Sequence, residues 1–510
     1  MSDISEKNRR IAKNTMILYL RMMLLMLISL YTSRIILNAL GVDDYGIYNV
    51  VGGVVAMFSV LSGSFSQSVS RFMTFSLAKK ELDRLKHVFS TSLIIQFSLA
   101  TMIVVIAEIA GIWFLNTKLN IPEERIDAAN WVMHCSILVF AVNLLCVPFN
   151  ATIIAHEKMD VFAFVGIIDA FLKLSVAIIV NVAKDDRLIL YSVLLLLASI
   201  LKSVIYAIYC LSHFEECSLY ISIDTTLIRK MTAFAGWTVL GNGVFLFSTQ
   251  GLNILINMYF GVALNTARGI AAQVGGAVGQ FVSSFMTAMN PQITKSYAEG
   301  NFSFMHSLVC RGAKFSFFLM LFFAVPICIE TEQILTLWLK VLPNYSVAFV
   351  RLTFVSSMCT VLGNTLVTSL FATGEVRKYQ IIVSSIVLWI FPLTWIAFEC
   401  NLSPVWAYLI YSVIYFLLIF VRIYLVKGLI RMPWQSYIKG VVLKCFMVAT
   451  VAFFMPLIVF NVQEQSLLRL LEVSTVSIIS TICAIYMLGL NNEEKTYFMK
   501  LAKSKLSSWG

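Results

Sequence analysis

The chain has 510 residues, of which 59% are hydrophobic and only 13% are charged, and its mean hydropathy is +0.85. A soluble domain carries about 25% charged residues, so this composition excludes a soluble globular protein and indicates a polytopic membrane protein. The net charge of +11 could suggest nucleic-acid binding. However, the basic residues lie in short loops between apolar runs, which is typical of membrane topology.

The first predicted element follows a basic N-terminal segment, MSDISEKNRRIAKNT. The apolar run after it extends from about residue 16 to residue 40. This run is too long for the apolar region of a signal peptide, and no A-x-A cleavage site follows it. We therefore interpret it as an uncleaved first transmembrane helix.

Further apolar runs follow along the whole chain. About 20 apolar residues are needed for a helix to cross the bilayer, and runs of this size predict an all-α polytopic membrane protein with about 14 transmembrane helices. The second and eighth are long and contain Ser, Gln and Gly, so we expect them to tilt or bend. The predicted limits are 14–40, 46–77, 88–115, 128–154, 159–182, 188–212, 230–258, 263–292, 308–331, 346–372, 379–399, 403–427, 439–461 and 468–490.

The charges in the connecting loops predict the orientation of the helices. Alternate loops are rich in Lys and Arg, and so are both termini, whereas the intervening loops carry few bases; GVDDY, at 41–45, has none. Since basic loops face the cytoplasm, this pattern predicts an even number of helices, both termini in the cytoplasm and GVDDYG on the outer side.

An internal repeat relates the two halves of the chain. Residues 41–78 align without a gap with residues 261–298, at an offset of 261 − 41 = 220, and eight positions are identical. The offset covers an even number of predicted helices, so the halves share one orientation. A parallel pseudo-two-fold repeat of two six-helix lobes is typical of secondary transporters.

The repeat predicts how the chain divides into domains. Residues 1–213 form an N-terminal six-helix lobe, and 214–229 form a cytoplasmic inter-lobe loop. Residues 230–430 form a C-terminal six-helix lobe, and 431–510 add an extra helix pair and a basic cytoplasmic tail.

Three groups of residues resemble a known family. They are the Asn-Thr entry to the first helix, the LG-x-x-x-YG-x-Y turn after it and the segment NPQITKSYAEGN: Asn14 and Thr15; Leu40, Gly41, Tyr45, Gly46 and Tyr48; and Asn290–Asn301. With the helix layout, they are similar to the polysaccharide exporters known as O-antigen (Wzx-type) flippases. Their superfamily includes the MATE transporters and the lipid II flippases. The resemblance covers roughly residues 8–430.

The resemblance implies two six-helix lobes around a V-shaped central cavity, in a multi-pass protein of the cell inner (cytoplasmic) membrane. It implies translocation of an undecaprenyl-pyrophosphate-linked oligosaccharide from the cytoplasmic to the outer leaflet by alternating access. This step serves the biosynthesis of O-antigen, capsule or lipopolysaccharide. The expected partners are the lipid-linked oligosaccharide, membrane lipids and polysaccharide polymerase or assembly machinery, without nucleic acid. No cofactor is implied, although an H⁺ or Na⁺ gradient could be coupled to transport.

Charged residues inside predicted helices are candidates for function, because a charge is costly in the bilayer. The cationic candidates for a substrate cavity are Arg21, Arg34, Lys202 and Arg268. Arg21 and Arg34 are thirteen positions apart on the first helix and therefore lie on different faces. Either one could face a cavity or extend to lipid headgroups. Lys202 has no partner nearby in sequence, which makes it the strongest candidate for an anion-facing charge.

Acidic and amide side chains supply further candidates. Asp169 and Lys173 are four residues apart and can pair on one helix face; we prefer a neutralised structural pair to the alternative, a proton- or sodium-coupled switch. Glu108 could bind a coupling cation or lie at the membrane interface. A polar stripe on the seventh helix could contact sugar hydroxyls or a neighbouring helix; it consists of Gln250, Asn253 and Asn257.

Two alternatives to a flippase stay open. A cation-coupled, MATE-like multidrug antiporter would carry a carboxylate within its first lobe, and the first predicted helix has arginines but no acid. A membrane polysaccharide polymerase or ligase would display a large catalytic outer loop, and the outer loops here are short. No nucleophile–base pattern, metal-ligand spacing or C-x-x-C pair is visible, so we expect the protein not to be an enzyme.

Overall fold

The computed structural model describes residues 2–56, 58–118, 122–184, 186–217, 224–260, 262–339, 342–492 and 494–496. All regular secondary structure in these residues is helical, which confirms the predicted all-α class. Most of the predicted basic tail, from 497 onward, lies outside the described residues, as does Gly261 of the repeat.

The helices follow one another with short connections. The first nine are α1 (Ser2–Ala56), α2 (Ser59–Ala78), α3 (Leu82–Lys118), α4 (Ile126–Ala155), α5 (Met159–Val182), α6 (Arg187–His213), α7 (Thr225–Phe260), α8 (Val262–Ala298) and α9 (Phe302–Ile329). The others are α10 (Thr331–Leu339), α11 (Ser346–Thr373), α12 (Val376–Leu388), α13 (Ile390–Glu399), α14 (Val405–Ile430), α15 (Trp434–Tyr437), α16 (Leu443–Val462) and α17 (Leu467–Ala484). Short 3₁₀ or π turns lie at Glu123–Arg125, Ile438–Val442 and Ile485–Gly489.

Twelve segments of the described chain are long and apolar enough to cross a membrane, so the protein is a multi-pass membrane protein. The two other predicted spans correspond largely to α2 and α8, which are helical but are not among the twelve. α2 is rich in Ser, and α8 contains several Gly, Gln and Ser, which lowers the hydropathy of both helices. The total of 14 transmembrane helices therefore stays a prediction.

Gly41 breaks the long first helix. Its backbone has φ 78° and ψ 176°, whereas the residues on both sides are helical. This region of backbone space is essentially restricted to glycine. The predicted turn LGVDDYG is thus a break centred on one residue, and Asp44 lies in the first turn of the helical segment that follows.

The described chain forms two compact units. Unit 1 comprises residues 1–243 and 294–301, and unit 2 comprises 244–293 and 302–510. In unit 1, α4 packs against α3 and α6, and α1 packs against α5. In unit 2, α11 packs against α9 and α14. Each unit therefore contains three packed helices in the same order along the chain, as the two-lobe repeat predicts: α3, α4 and α6 in unit 1, and α9, α11 and α14 in unit 2.

The last two long helices belong to unit 2 and pack on α9. At one end of α9, Glu330 accepts hydrogen bonds from Arg469 of α17, at 2.9 and 3.0 Å. Farther along α9, the ammonium of Lys314 bonds both carboxylate oxygens of Glu494, at 3.0 and 2.8 Å. All four side chains are almost completely buried, so these ion pairs fix the position of the helix pair on the unit.

Candidate functional site

The candidate site is a cavity of about 450 Å³ inside unit 1. Its walls come from α1, α4, α5 and α6, and ten of its fourteen lining residues are polar or charged. The lining residues are Thr32, Tyr48, Cys135, Ser136, Val139, Phe140, Asn143, Asp169, Lys173, Tyr191, Ser192, Leu195, Ser199 and Lys202.

Three predicted site residues meet in this cavity. The ammonium of Lys202 donates to the side-chain oxygen of Asn143 on α4, at 2.7 Å. Lys173 pairs with Asp169 one helical turn earlier on α5, at 2.8 Å. The second oxygen of Asp169 is buried and accepts no hydrogen bond within the described part of the chain. The cavity lining thus contains two basic side chains and one acidic side chain.

Hydroxyl groups and aromatic rings complete the wall. Tyr48 and Tyr191 meet edge to face, with ring centroids 4.9 Å apart, and both line the cavity. The serines on the wall come from α4 and α6, at Ser136, Ser192 and Ser199. A cationic cavity with this many hydroxyls can bind an anionic, hydroxylated ligand, because charge and hydrogen bonds can be satisfied together.

Arg21 lies next to this cavity without being one of its lining residues. Its guanidinium lies over the ring of Phe162, 4.5 Å from the centroid, and against Gly166, where an added Cβ would come within 2.4 Å of Nε. The Nε atom is buried without a hydrogen-bond partner in the described residues. Asp169 is near enough to interact electrostatically with Arg21. Glycine at 166 therefore provides the space for this arginine.

The other predicted site residues lie apart from the cavity of unit 1. Arg34 is exposed, and the carboxylate of Glu108 bonds His134 on α4 at 2.7 Å. In unit 2, Arg268 donates to the carbonyl of Thr249 at 3.0 Å. The structure thus groups Asp169, Lys173 and Lys202 but neither Arg34 nor Glu108.

The predicted polar stripe of α7 is described only in part. Asn253 donates to Gln250 at 2.8 Å, on an exposed part of the helix. The side chain of Asn257 lies outside the described part of the structure.

A second cluster, the Arg125 bridge, joins three helix starts in unit 1. Arg125 bonds Asp44, with Nε donating at 2.9 Å, and bonds Asp186 at 2.7 Å. Asp186 also caps α6 by accepting from the amides of Leu188 and Ile189. Burial favours the neutral form of Asp186, but the hydrogen bonds from Arg125 and from the two amides outweigh it and lower the pKa of this carboxyl. This bridge gives Asp44 a structural role.

A third charged cluster surrounds the turn between α4 and α5. Buried Glu157, with φ 58°, pairs with Lys295 at 2.5 Å, and its carbonyl accepts from Asn14 at 3.3 Å. Beside it, His156 bonds Glu216 at 2.5 Å. Burial would raise the pKa of Glu216, but the hydrogen bonds from His156 and from the backbone amide of Glu216, with the nearby basic groups, outweigh it, and the pKa is lowered. Asn14 of the first-helix motif is thus part of the packing of this turn.

Several residues of the cavity and of the Arg125 bridge are not identifiable as site residues from the sequence. Asn143 and Tyr191 carry no charge, and Arg125 and Asp186 lie in loops, so a search for intramembrane charges passes over them. Within the described residues, no three His, Cys, Asp or Glu side chains are grouped as metal ligands.

Several solved structures are similar to this chain in fold. A crystal structure of a mutant MATE transporter is 14% identical, with a TM-score of 0.70, and covers 82% of this chain and 97% of its own. A MOP superfamily transporter from Pyrococcus furiosus, whose binding pocket is described as having reverse polarity, is 14% identical, with a TM-score of 0.70 and coverages of 83% and 96%.

A third solved structure is an outward-facing multidrug resistance MATE family transporter. It is 13% identical, with a TM-score of 0.71 and coverages of 82% and 97%. No protein-family model matches the chain, and no curated protein matches it. At these identities the similarity shows the fold alone.

Proposed function

Given that the chain has the fold of MATE transporters, we propose that this protein is a flippase for lipid-linked oligosaccharides in the cytoplasmic membrane. Its substrate would be an undecaprenyl-pyrophosphate-linked oligosaccharide, moved to the outer leaflet for the synthesis of O-antigen, capsule or lipopolysaccharide. Alternating access would move the headgroup, with membrane lipids around it and polysaccharide assembly machinery downstream.

The observation that supports this proposal is the lining of the unit 1 cavity. A pyrophosphate carries negative charge, and a glycan carries many hydroxyl groups; neither crosses hydrocarbon without compensation. Lys202 and Lys173 offer positive charge, whereas Asn143 and the hydroxyls of the wall offer hydrogen bonds. A cavity of this composition lowers the barrier for the headgroup, while the polyprenyl tail can stay in the hydrocarbon.

A charge-removal series tests the proposal. We expect Lys202→Ala to lower surface glycan about tenfold, since loss of one charged hydrogen bond weakens binding by about that factor. Arg268→Ala and Arg34→Ala test two of the three other cationic candidates; we expect a smaller loss for exposed Arg34. Surface glycan is measured in a strain that lacks the chromosomal gene, at matched protein levels.

The control is Lys427→Gln, which removes an exposed charge on α14 and should leave export unchanged. Normal export from all three alanine variants would refute the cationic-cavity assignment. Normal surface glycan in the deletion strain itself would refute the flippase.

Asp169 supports a second candidate, a cation-coupled multidrug antiporter. Its carboxylate lines the cavity and has one oxygen without a hydrogen-bond partner in the described chain, as a coupling site for H⁺ or Na⁺ would require. The deletion strain distinguishes the two candidate functions, because an antiporter predicts lower drug tolerance with normal surface glycan. Drug tolerance would then be lost again in Asp169→Asn.

A further inference from the structure

Unit 2 contains a buried arginine whose charge the described part of the chain does not neutralise. Arg422 lies on α14 with 7% of its surface exposed. Its Nε and Nη1 atoms are buried and have no hydrogen-bond partner among the described residues. A buried charge without a partner is strongly unfavourable, and the guanidinium of an arginine does not lose its proton in proteins. The site is therefore incomplete without an acceptor.

The repeat relates Arg422 to a residue of the unit 1 cavity. The offset of 220 takes Lys202 to Arg422, since 422 − 202 = 220, and takes its partner Asn143 to Gly363, since 363 − 143 = 220. In unit 1, Lys202 bonds Asn143. In unit 2, Arg422 lies against Gly363, where an added Cβ would come within 2.1 Å of Nη1. The two cations thus occupy equivalent places, each against the equivalent neighbour.

The remaining wall residues follow the same offset. Tyr191 corresponds to Tyr411, and Tyr48 corresponds to Arg268. Tyr411 stacks on Tyr415, with ring centroids 4.4 Å apart. Arg268 of α8 lies over the ring of Tyr408, 5.6 Å from its centroid. Tyr408 is on α14, as Tyr411 is. The equivalent positions of unit 2 therefore also carry an aromatic residue, at Tyr411, and carry a second arginine, at Arg268.

The acid–base pair of unit 1 has no counterpart in unit 2. The offset takes Asp169 to Trp389 and Lys173 to Leu393. Unit 1 thus carries a carboxylate that offsets part of its positive charge, whereas the equivalent positions of unit 2 carry none. Within the described residues, neither Arg268, which donates to the carbonyl of Thr249, nor Arg422 pairs with a carboxylate.

We propose that Arg422 is the anchor of an oxyanion-binding site in unit 2, the counterpart of the unit 1 cavity. The planar guanidinium binds two oxygens of one carboxylate or phosphate in a fork, and glycine at 363 lets this guanidinium pack against α11, because an added Cβ would collide with Nη1. Anion binding at Arg422 stands independently of the transported substrate. That the oxyanion belongs to the substrate headgroup, as an acidic sugar or a phosphate, rests on the proposed function.

The test measures anion binding to the full-length protein in detergent. The midpoint of thermal unfolding is followed by tryptophan fluorescence during titration with glucuronate, with inorganic phosphate and, as a neutral control, with glucose, at constant ionic strength. A ligand that binds the folded state raises this midpoint. We expect glucuronate or phosphate to raise it and glucose to leave it unchanged. The stronger of the two anions identifies the source of the oxyanion.

Variants of Arg422 decide the assignment. We expect Arg422→Gln to weaken anion binding at least about tenfold, as loss of a charged hydrogen-bond pair does, and Arg422→Lys to retain part of it. Arg422→Met should remove the anion response while raising the unfolding midpoint without anion, because it deletes an uncompensated charge. A merely structural arginine would instead give a lower midpoint.

Lys427→Gln on the same helix is the matched control and should bind anions as the wild type does. Unchanged affinity in Arg422→Gln would overturn the proposal. Loss of affinity in Lys202→Gln but not in Arg422→Gln would also overturn it, by placing the anion in unit 1. Since binding needs no transport, a failure here is distinguishable from a failure of glycan export.

Discussion

Arg125 shows how one side chain connects distant parts of unit 1. It reaches Asp44 in the second half of α1 and Asp186 at the start of α6, 81 and 61 residues away in sequence. Its side chain is 29% exposed, and those of the two aspartates are 19% and 33% exposed. A bridge in this partly buried setting is stronger than an isolated surface ion pair, because Arg125 pairs with two carboxylates and Asp186 also accepts from two amides.

We predict that Arg125→Gln destabilises the protein by about 1 kcal/mol at neutral pH, since two carboxylates then lose their shared cation. The measurement is the thermal unfolding midpoint in detergent. Glu124→Gln, which alters an exposed neighbour, is the control and should unfold as the wild type does. An unchanged midpoint in Arg125→Gln would mean that the bridge contributes nothing to stability.

The lowered pKa of Asp186 adds a pH dependence to this bridge. A carboxyl whose pKa is lower in the folded than in the unfolded state stabilises the fold above its ordinary value of 3.8. That stabilisation is lost as the pH falls through the folded-state pKa. The stability difference between wild type and Asp186→Asn should therefore shrink below about pH 4. A difference that is the same at pH 3 and pH 7 would contradict this.

Residue chemistry also explains which site residues were predictable. Asp169, Lys173 and Lys202 are identifiable from sequence because charge inside an apolar run is rare and costly. Asn143 and Tyr191 are ordinary residues in such runs, and only three-dimensional packing brings them to Lys202. Arg422 is also identifiable from the sequence, since the offset of 220 that relates Gly41 to Gly261 relates Lys202 to Arg422.

At the scale of elements, the break at Gly41 is a property of the backbone. An added Cβ at this position would meet no atom within 4 Å, so space is not what requires glycine. The requirement comes from φ 78° and ψ 176°, a combination that costs other residues about 1–3 kcal/mol.

We therefore predict that Gly41→Ala lowers stability by about 1–3 kcal/mol through backbone strain alone. The matched control is Gly63→Ala in α2, where an added Cβ also has open space but the backbone is helical. That variant should gain up to about 1 kcal/mol. Thermal unfolding of both variants checks the pair, and equal midpoints would show that the break imposes no strain.

The sequence pattern predicted the helices better than their irregularities. Long apolar runs identify the spans, because hydrocarbon admits little else. The division of the predicted span 379–399 into α12 and α13 coincides with Pro392, which has no amide hydrogen to bond the carbonyl of Leu388. The π turns that adjoin α16 and α17 have no such signal in the sequence.

At the scale of the whole molecule, buried ion pairs hold the last two long helices in unit 2. Sequence reasoning placed these helices after the second six-helix set but gave no account of what they pack on. They pack on the α9 region, where Glu330 pairs with Arg469 and Lys314 pairs with Glu494. The guanidinium of Arg469 also lies over the ring of Phe460, 4.5 Å from its centroid, so α16 and α17 are joined at the same point.

We predict that Arg469→Met destabilises unit 2 by about 3–5 kcal/mol, because it leaves Glu330 buried without its cation. The double variant Glu330→Met with Arg469→Met should regain most of this loss, since two apolar groups can replace a buried pair. Unfolding midpoints of both single variants and the double variant measure the coupling.

Glu464→Gln, an exposed change in the loop before α17, serves as the control and should have no effect. A double variant as unstable as the sum of the two singles would mean that the side chains do not interact.

The matching places of Lys202 and Arg422 also show that residue spacing is the same in the two halves of the chain. Tyr48 and Lys202 are separated by 202 − 48 = 154 residues, and Arg268 and Arg422 are separated by 422 − 268 = 154. One inserted residue within a helix would rotate every later side chain by about 100°. The two halves thus differ in side-chain chemistry without a net change in length over this stretch: unit 1 carries Asp169, and unit 2 carries Arg268.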